Sequence, residues 1–336
     1  MTSHPTSLTP DRVGASTAPP IEEVLRYACR APSVHNSQPW LWRVHGDQID
    51  LFADLKRQLM YADPQRRDLV ISCGAALHHL QTAAAALGWA ARVQRLPDPT
   101  DHRHLARVTL KPARPRDDHE AVLASIMARR TDRRRVTSWP VPHQRLASLS
   151  AAGSLWGAQV LPVTRESVKW KLHELTQRAS LIQGRNHRYI EELAASTLGT
   201  ATDGIGRAVI PERGEPASAT ANRAFPNGLL PNPPVEAEPS EEALLLVCTS
   251  SDDIISRLRA GEALSAVWLH ATADNLALVP LSQAIEVDET RQALQKDVLG
   301  DLAFPQLLLR VGWLPLGRDD LPATPRRPLS DVLERS

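Results

Sequence analysis

The sequence predicts an α+β chain assembled from two related units, and three observations carry that expectation. The chain has 336 residues, enough for two domains or one large one at roughly 150 residues per domain. Helix and strand signals alternate in both halves. Residues 74–90 (GAALHHLQTAAAALGWA) align without gaps on residues 261–277 (GEALSAVWLHATADNLA) at an offset of 187, with Gly88 falling opposite Asn275. Alanine-rich helices also match by accident. Here, however, the match agrees with a repeated order of helix and strand, as a duplicated unit requires.

The elements follow in order. Pro19-Pro20 opens a helix over 21–30 that must end before Pro32, because a proline pushes its predecessor out of helical geometry. Residues 40–44 and 48–52 alternate apolar and polar around Gly46-Asp47, a hairpin signal. Asp63-Pro64 caps a long helix that stops at Gly88. Strands are expected over 91–96 and 105–110, and the Asp117-x-x-Glu120 box starts a helix ending near Met127. The second half repeats the mixture. Helices are expected over 141–151, 166–182, 187–195, 252–273 and 288–299, and strands over 159–163, 243–249, 276–281 and 306–313. Between 211 and 240, seven prolines and no periodicity mark a lid or a disordered loop. Residues 1–20, rich in Ser, Thr and Pro without an apolar stretch, read as a disordered tail and not a signal peptide. The division expected is 1–20 tail, 21–128 first half, and 129–336 second half carrying the Pro-rich segment at about 200–240.

Composition narrows the function. With 39 Lys+Arg against 38 Asp+Glu, no global field draws the protein to nucleic acid or an anionic membrane. Only five of those cations are lysines, which leaves 34 arginines, a background against which a cluster must stand out by position. Cys29, Cys73 and Cys248 lack CxxC or metal spacing, and an odd count with apolar neighbours points to reduced thiols and a cytoplasmic location. No run approaches the roughly 18 consecutive apolar residues of a membrane span.

Two segments carry chemistry. Residues 129–135 read RRTDRRR. A solvated basic loop is one reading of such a run. The other is an anion site, because Arg129, Thr131 and Arg133 alternate and, in an extended segment, face the same way with two guanidinium forks and a hydroxyl. Residues 31–42, APSVHNSQPWLW, set Ser33, His35, Asn36, Ser37 and Gln38 in a turn between prolines and beside Trp40 and Trp42. That density of amides and hydroxyls suits the edge of a flat heterocycle.

The stretch Ala31-Pro-Ser-x-x-Asn36-x-Gln38-Pro39-Trp40 resembles the flavin-contacting motif of the FMN-dependent nitroreductase family, and Arg129-x-Thr131-x-Arg133 is similar to that family's phosphate motif. Together with residues 259–269, 279–287, 307–313 and 324–329 it resembles the actinobacterial Acg-type branch, linked with dormancy responses, over about 21–333. The resemblance implies a nitroreductase-like fold, internally duplicated so that one chain mimics the family's homodimer and retains one FMN site of two. It implies that Arg129, Thr131 and Arg133 hold the phosphate, with Arg326 or Arg327 from the tail. Pro32, Ser33 and Asn36 would border the ring and ribityl chain, with Gln38 in the same motif. Backbone at Ser282 and Gln283, where the family carries an acidic residue and glycine, would face flavin N5. The chemistry implied is the flavin's, with no catalytic side chain: hydride from NAD(P)H to FMN, then to a nitroaromatic or quinone. The alternative implied for this branch is an FMN-sequestering or storage protein whose lid denies access to NAD(P)H. Partners expected are FMN and a small aromatic acceptor, with no nucleic acid and no membrane. One chain completes the site, and a homodimer stays open.

Other motifs read as structural. Gly204-Ile-Gly206 lacks the third glycine and the preceding strand of a dinucleotide fingerprint. His78 and His79 point about 100° apart on a helix, so they read as surface or half-buried residues and not as a metal pair. His102 and His104 flank a loop without a third ligand, so no metal site is expected. No GxSxG supports a serine hydrolase. Trp89, Trp139, Trp156, Trp170, Trp268 and Trp313 read as packing.

Overall fold

The computed structural model describes residues 18–212, 223, 225–231 and 241–334. The first half contains α1 (Ile21–Ala28), β1 (Trp40–His45), β2 (Gln48–Ala53), α2 (Arg67–Ala86), β3 (Trp89–Arg95), β4 (His104–Pro112) and α3 (His119–Ala128). The second begins with α4 (His143–Ser154), β5 (Gln159–Val163), α5 (Glu166–Gly184), α6 (His187–Leu198), β6 (Ala243–Thr249) and α7 (Ile254–Ala273). It continues through β7 (Leu276–Leu281), α8 (Gln283–Glu286), α9 (Asp288–Asp297) and β8 (Phe304–Trp313), and closes with α10 (Leu329–Val332) and β9 (Leu333–Glu334).

The duplication is visible in the architecture. One sheet runs β3-β4-β2-β1-β9 and the other β7-β8-β6-β5, so the order matches until β9 is added. Helices α2 and α7 are both 20 residues long and begin 187 residues apart, as do β3 and β7. Gly88 and Asn275, at the same offset, both end their helices with positive φ, 83° and 58°.

The two long helices cross where neither has a side chain. A Cβ on Gly74 would lie 2.0 Å from the Leu258 carbonyl oxygen, and one on Gly261 would lie 1.9 Å from that of Ile71. Gly74 pairs with Gly261, and Ile71 with Leu258, at the offset of 187. The contact is therefore reciprocal, as across the twofold axis of a dimer. One turn further along, His78 Nδ1 meets Ser265 Oγ at 2.7 Å, again a pair related by 187.

Strand patterning follows from what covers each sheet. In β2, Ile49 and Leu51 face α2 while Asp50 faces a polar network with His104 (2.9 Å) and Arg107 (2.7 Å). That strand alternates accordingly. In β6, ALLLVCT is an unbroken apolar run because α7 packs on one face and α5, α8 and α9 pack on the other.

The structure corrects several expectations. His78 and His79 are buried between α2 and α7, where Ser265 receives both rings. Trp139 and Trp170 are 70% and 69% exposed, not packed. The Asp117–Glu120 capping box does not form: α3 starts at His119 and Arg116 binds Asp118 instead. The chain's last strand, β9, joins the first sheet in parallel with β1 instead of staying with the second half. Among the described residues α2 is long and apolar enough to cross a membrane, but 83% of its 18-residue window is buried inside the fold. Residues 1–17 of the expected tail and most of the Pro-rich segment lie outside the described residues.

Cys29, Cys73 and Cys248 are unpaired and buried. Burial pushes the Cys29 and Cys248 thiols up to about 11, and that of Cys73, which donates to the Pro39 carbonyl, higher still. Thiolate is the reactive form. Iodoacetamide at mildly alkaline pH is therefore expected to leave the native chain unlabelled and to add three groups once urea unfolds it, read by intact mass.

Candidate functional site

The turn after α1 is shaped by its own polar groups. Pro32 ends the helix, the Ser33 hydroxyl accepts the Gln38 N–H (2.9 Å), and Ser72 on α2 accepts that of Val34 (3.0 Å). His35, Asn36 and Gln38 take left-handed φ of 46°, 57° and 49°. This coils the backbone tightly against the start of α2. The Asn36 amide ties the turn to two distant segments: it donates to the Gly204 (3.0 Å) and Pro325 (3.1 Å) carbonyls and accepts from Arg326 (3.0 Å).

This turn forms one wall of a cavity between the halves, with about 1080 Å³ of empty space including its open mouth, ample for a cofactor-sized ligand. Another wall is the extended segment after α3. Arg129, Thr131 and Arg133 all line the cavity, while the intervening residues look elsewhere. Arg130 donates to the Met127 and Arg129 carbonyls, and Arg134 pairs with Asp132 at 2.6 Å. Pro32, Ser33, Asn36, Ser282, Gln283 and Arg326 also line it. The structure thus gathers nine of the eleven expected residues.

The other two stand behind the wall. Gln38 is fully buried; it donates to the Thr202 carbonyl (2.8 Å) and accepts from the Arg327 N–H (2.9 Å). Arg327 points to the Gln38 carbonyl and Asp54. Both hold the turn against the tail and do not face the cavity.

Arg129 is the electrostatic anomaly. It is 5% exposed and stacks over Trp268 at 4.7 Å. Among the described residues its Nε and Nη1 have no hydrogen-bond partner, and Nη2 reaches only the Arg30 carbonyl at 3.4 Å. Burial, then Arg326, Arg130 and Arg30, hold its pKa well below the usual arginine range. Arg326, half-buried, is pushed down to about 10 by desolvation, and its Nε is likewise unpartnered among the described residues. Burial and Arg223 bring Arg133 to about 10. Among the described residues no carboxylate pairs with Arg129 or Arg326. Burying an uncompensated cation costs several kcal/mol, so this wall is built for an anion.

Several lining residues were not anticipated. Arg223, from the Pro-rich segment, donates to His35 Nε2 (2.7 Å) and pairs with Glu286, which also accepts from Ser282 (2.6 Å). His35 is held neutral by burial and by the charges of Arg223 and Arg133. With Nε2 accepting from Arg223, its proton sits on Nδ1, an unpartnered donor. Phe225 packs edge-on to His35 and beneath Arg133. Asp68 and Trp268, from α2 and α7, complete the lining used below. No local pattern marks Arg223 or Phe225. Trp268 carries the signature of a core residue, which it also is.

The internal twofold places the mate of this cavity at residues offset by 187. Trp268 maps onto Gln81, Ser282 onto Arg95 and Ser72 onto Arg259. There Gln81 (2.8 Å) and Arg95 (2.7 Å) bind the buried Glu262, and Arg259 packs against Gly157. The counterparts of two cavity-lining residues are thus engaged in an internal ion-pair network.

Fold and site together define a duplicated α+β chain with an anion-seeking cavity lined by residues of both halves. No family model matches the chain. It is 41% identical over 320 residues to a Mycobacterium tuberculosis protein named "Putative NAD(P)H nitroreductase Rv3131", covering 94% of this chain and 91% of that one. It is 32% identical over 317 residues to the M. tuberculosis protein named "Putative NAD(P)H nitroreductase acg", with 93% and 94% covered. The chain belongs to this NAD(P)H nitroreductase family. Among solved structures, a Bacteroides fragilis nitroreductase with bound FMN aligns over 59% of this chain and 90% of its own, at 16% identity and TM-score 0.38.

Proposed function

We propose that the chain is an FMN-binding oxidoreductase of the nitroreductase type, with one flavin in the cavity between halves divided at 128/129. The observation that carries the reading is Arg129, a buried guanidinium with two unpartnered nitrogens beside Thr131, Arg133 and Arg326. A flavin phosphate supplies the missing charge. At about 1.5 to 3 kcal/mol per charged hydrogen bond, these contacts account for much of a tight affinity. Pro32, Ser33 and Asn36 would border the ring and ribityl chain, and the segment at Ser282 and Gln283 would follow its N5 edge. When bound, the flavin supplies hydride transfer from NAD(P)H to a nitroaromatic or quinone. This chain's residues bind and orient it. Trp268 and Phe225 would exclude water, and the unpartnered N–H groups of His35 and Arg129 would be free to donate to it. The three buried thiols fit a reducing compartment such as the cytoplasm.

Arg223 and Phe225 favour a second reading. They bring the Pro-rich segment onto the cavity wall through the Glu286 pair, and a cover of that kind suits a flavin-holding protein that excludes NAD(P)H. The purified protein is expected to be yellow and to bleach under anaerobic NADPH. Yellow without bleaching identifies a flavin holder, and a colourless protein that takes up no added FMN overturns both.

A further inference from the structure

We propose that Asp68 is the proton donor of this cavity, recharged from solvent through a second, acidic cavity lined by Asp63, Glu286 and Asp288. The inference rests on the flavin reading and adds the proton that hydride chemistry requires.

Asp68 sits in the first turn of α2, 7% exposed, with its side chain on the wall of the cofactor cavity. No hydrogen bond or ion pair reaches its carboxyl among the described residues. The same residue lines a smaller cavity, about 320 Å³ including its mouth, whose other walls carry Asp63, Gln65, Glu286 and Asp288. The Asp288 side chain is 58% exposed and accepts from Gln65 at 3.0 Å. Asp68 therefore lines both the cofactor cavity and a second cavity that reaches the exposed Asp288.

The groups facing it settle its protonation. Asp63 lies on the loop that leads into α2, where the Arg67 (2.7 Å) and Leu69 (2.8 Å) N–H groups bind its carboxyl. Glu286 faces it from α8, Arg67 is its neighbour, and Arg223 approaches from the Pro-rich segment. Both cations are engaged elsewhere, Arg67 with Asp252 and Arg223 with Glu286. Burial and the two carboxylates outweigh them and raise the Asp68 pKa well above the usual range. Asp63 is raised to about 6 by burial, with a smaller contribution from Glu286. A carboxyl held neutral inside a redox cavity, next to one that titrates near neutrality, is suited to pass protons inward.

The reaction balances. Quinone, NAD(P)H and one proton give hydroquinone and NAD(P)⁺. The two electrons and one hydrogen leave the nicotinamide as hydride. The remaining O–H bond forms as the Asp68 Oδ–H bond breaks, and the carboxylate then takes a proton from water by way of the second cavity.

The test uses the flavin-loaded protein, reduced anaerobically with dithionite and mixed with para-benzoquinone, with return of the oxidised flavin spectrum as the readout. Bound flavin is measured first, so its absence defeats the flavin reading and not this one. A positioned general acid contributes about a hundredfold or more. Asp68→Asn is therefore expected to slow reoxidation at least about tenfold and to flatten its pH profile, while Asp68→Glu recovers part of the rate. In the wild type the rate holds while Asp68 is protonated and falls as pH rises through its raised pKa. An Asn variant that keeps its flavin, the wild-type rate and the wild-type pH slope overturns the proposal. If the Asn variant does not fold, the wild type decides: a solvent deuterium effect on reoxidation supports the donor, and none overturns it.

Discussion

Gly74→Ala is expected to destabilise the fold by upwards of about 3 kcal/mol, at or beyond the top of the usual range for overpacking. The new methyl would lie 2.0 Å from the Leu258 carbonyl oxygen and 3.0 Å from the Gly261 Cα, both backbone atoms of α7. Backbone inside a helix cannot rotate away, so α2 and α7 must separate. Two hydrophobic clusters contribute residues to that crossing, Cys73 and Leu258 to one and Ile71 and Ala260 to the other. Gly184 provides the control, because a Cβ there meets nothing within 4 Å. Urea unfolding should show a large fall in midpoint for Gly74→Ala and none for Gly184→Ala. The double variant with Gly261→Ala should cost less than the two singles together, since one separation relieves both clashes. A midpoint for Gly74→Ala equal to that of the control would show that the crossing is not close-packed.

Arg129→Met should change sign with the cofactor. Without flavin, the wild type buries a guanidinium whose Nε and Nη1 have no partner among the described residues. A methionine of similar length removes that charge and keeps the contact with Trp268. Flavin-free protein should therefore melt higher in the variant. With flavin, the wild type has a charged hydrogen bond that the variant lacks, and FMN affinity should fall roughly ten- to a hundredfold. Melting curves of flavin-stripped protein, with and without added FMN, check both halves. A variant that melts lower without flavin shows that Arg129 is compensated by something other than a bound anion.

Much of this was legible in the sequence where short-range rules govern. The helix over 67–86 follows from the Asp63 carboxylate binding its first N–H groups and from Gly88 at its end. The alternation of β2 announced one apolar face backed by a polar one, and the unbroken run of β6 announced two apolar faces. The internal match at 187 residues paired α2 with α7 as copies of one unit, while their crossing at Gly74 and Gly261 came from the fold. In the site, the spacing of Arg129, Thr131 and Arg133 told which side chains share a face, because alternation in an extended chain is local geometry.

What the sequence by itself determined is therefore the order of elements, the duplication and a set of side chains able to meet an anion. The tertiary structure alone decided which of those cations lacks a counter-charge. Arg134 finds Asp132 two residues away, whereas Arg129 faces segments 99 and 197 residues distant, at Arg30 and Arg326, and neither offers a carboxylate. It also decided that Gln38 and Arg327 turn from the cavity, that Arg223 enters it, and that Glu262 binds the counterparts of two lining residues. Desolvation and ion pairing depend on every group that folding brings within a few ångströms. Neighbours so far apart along the chain leave no periodic trace in it.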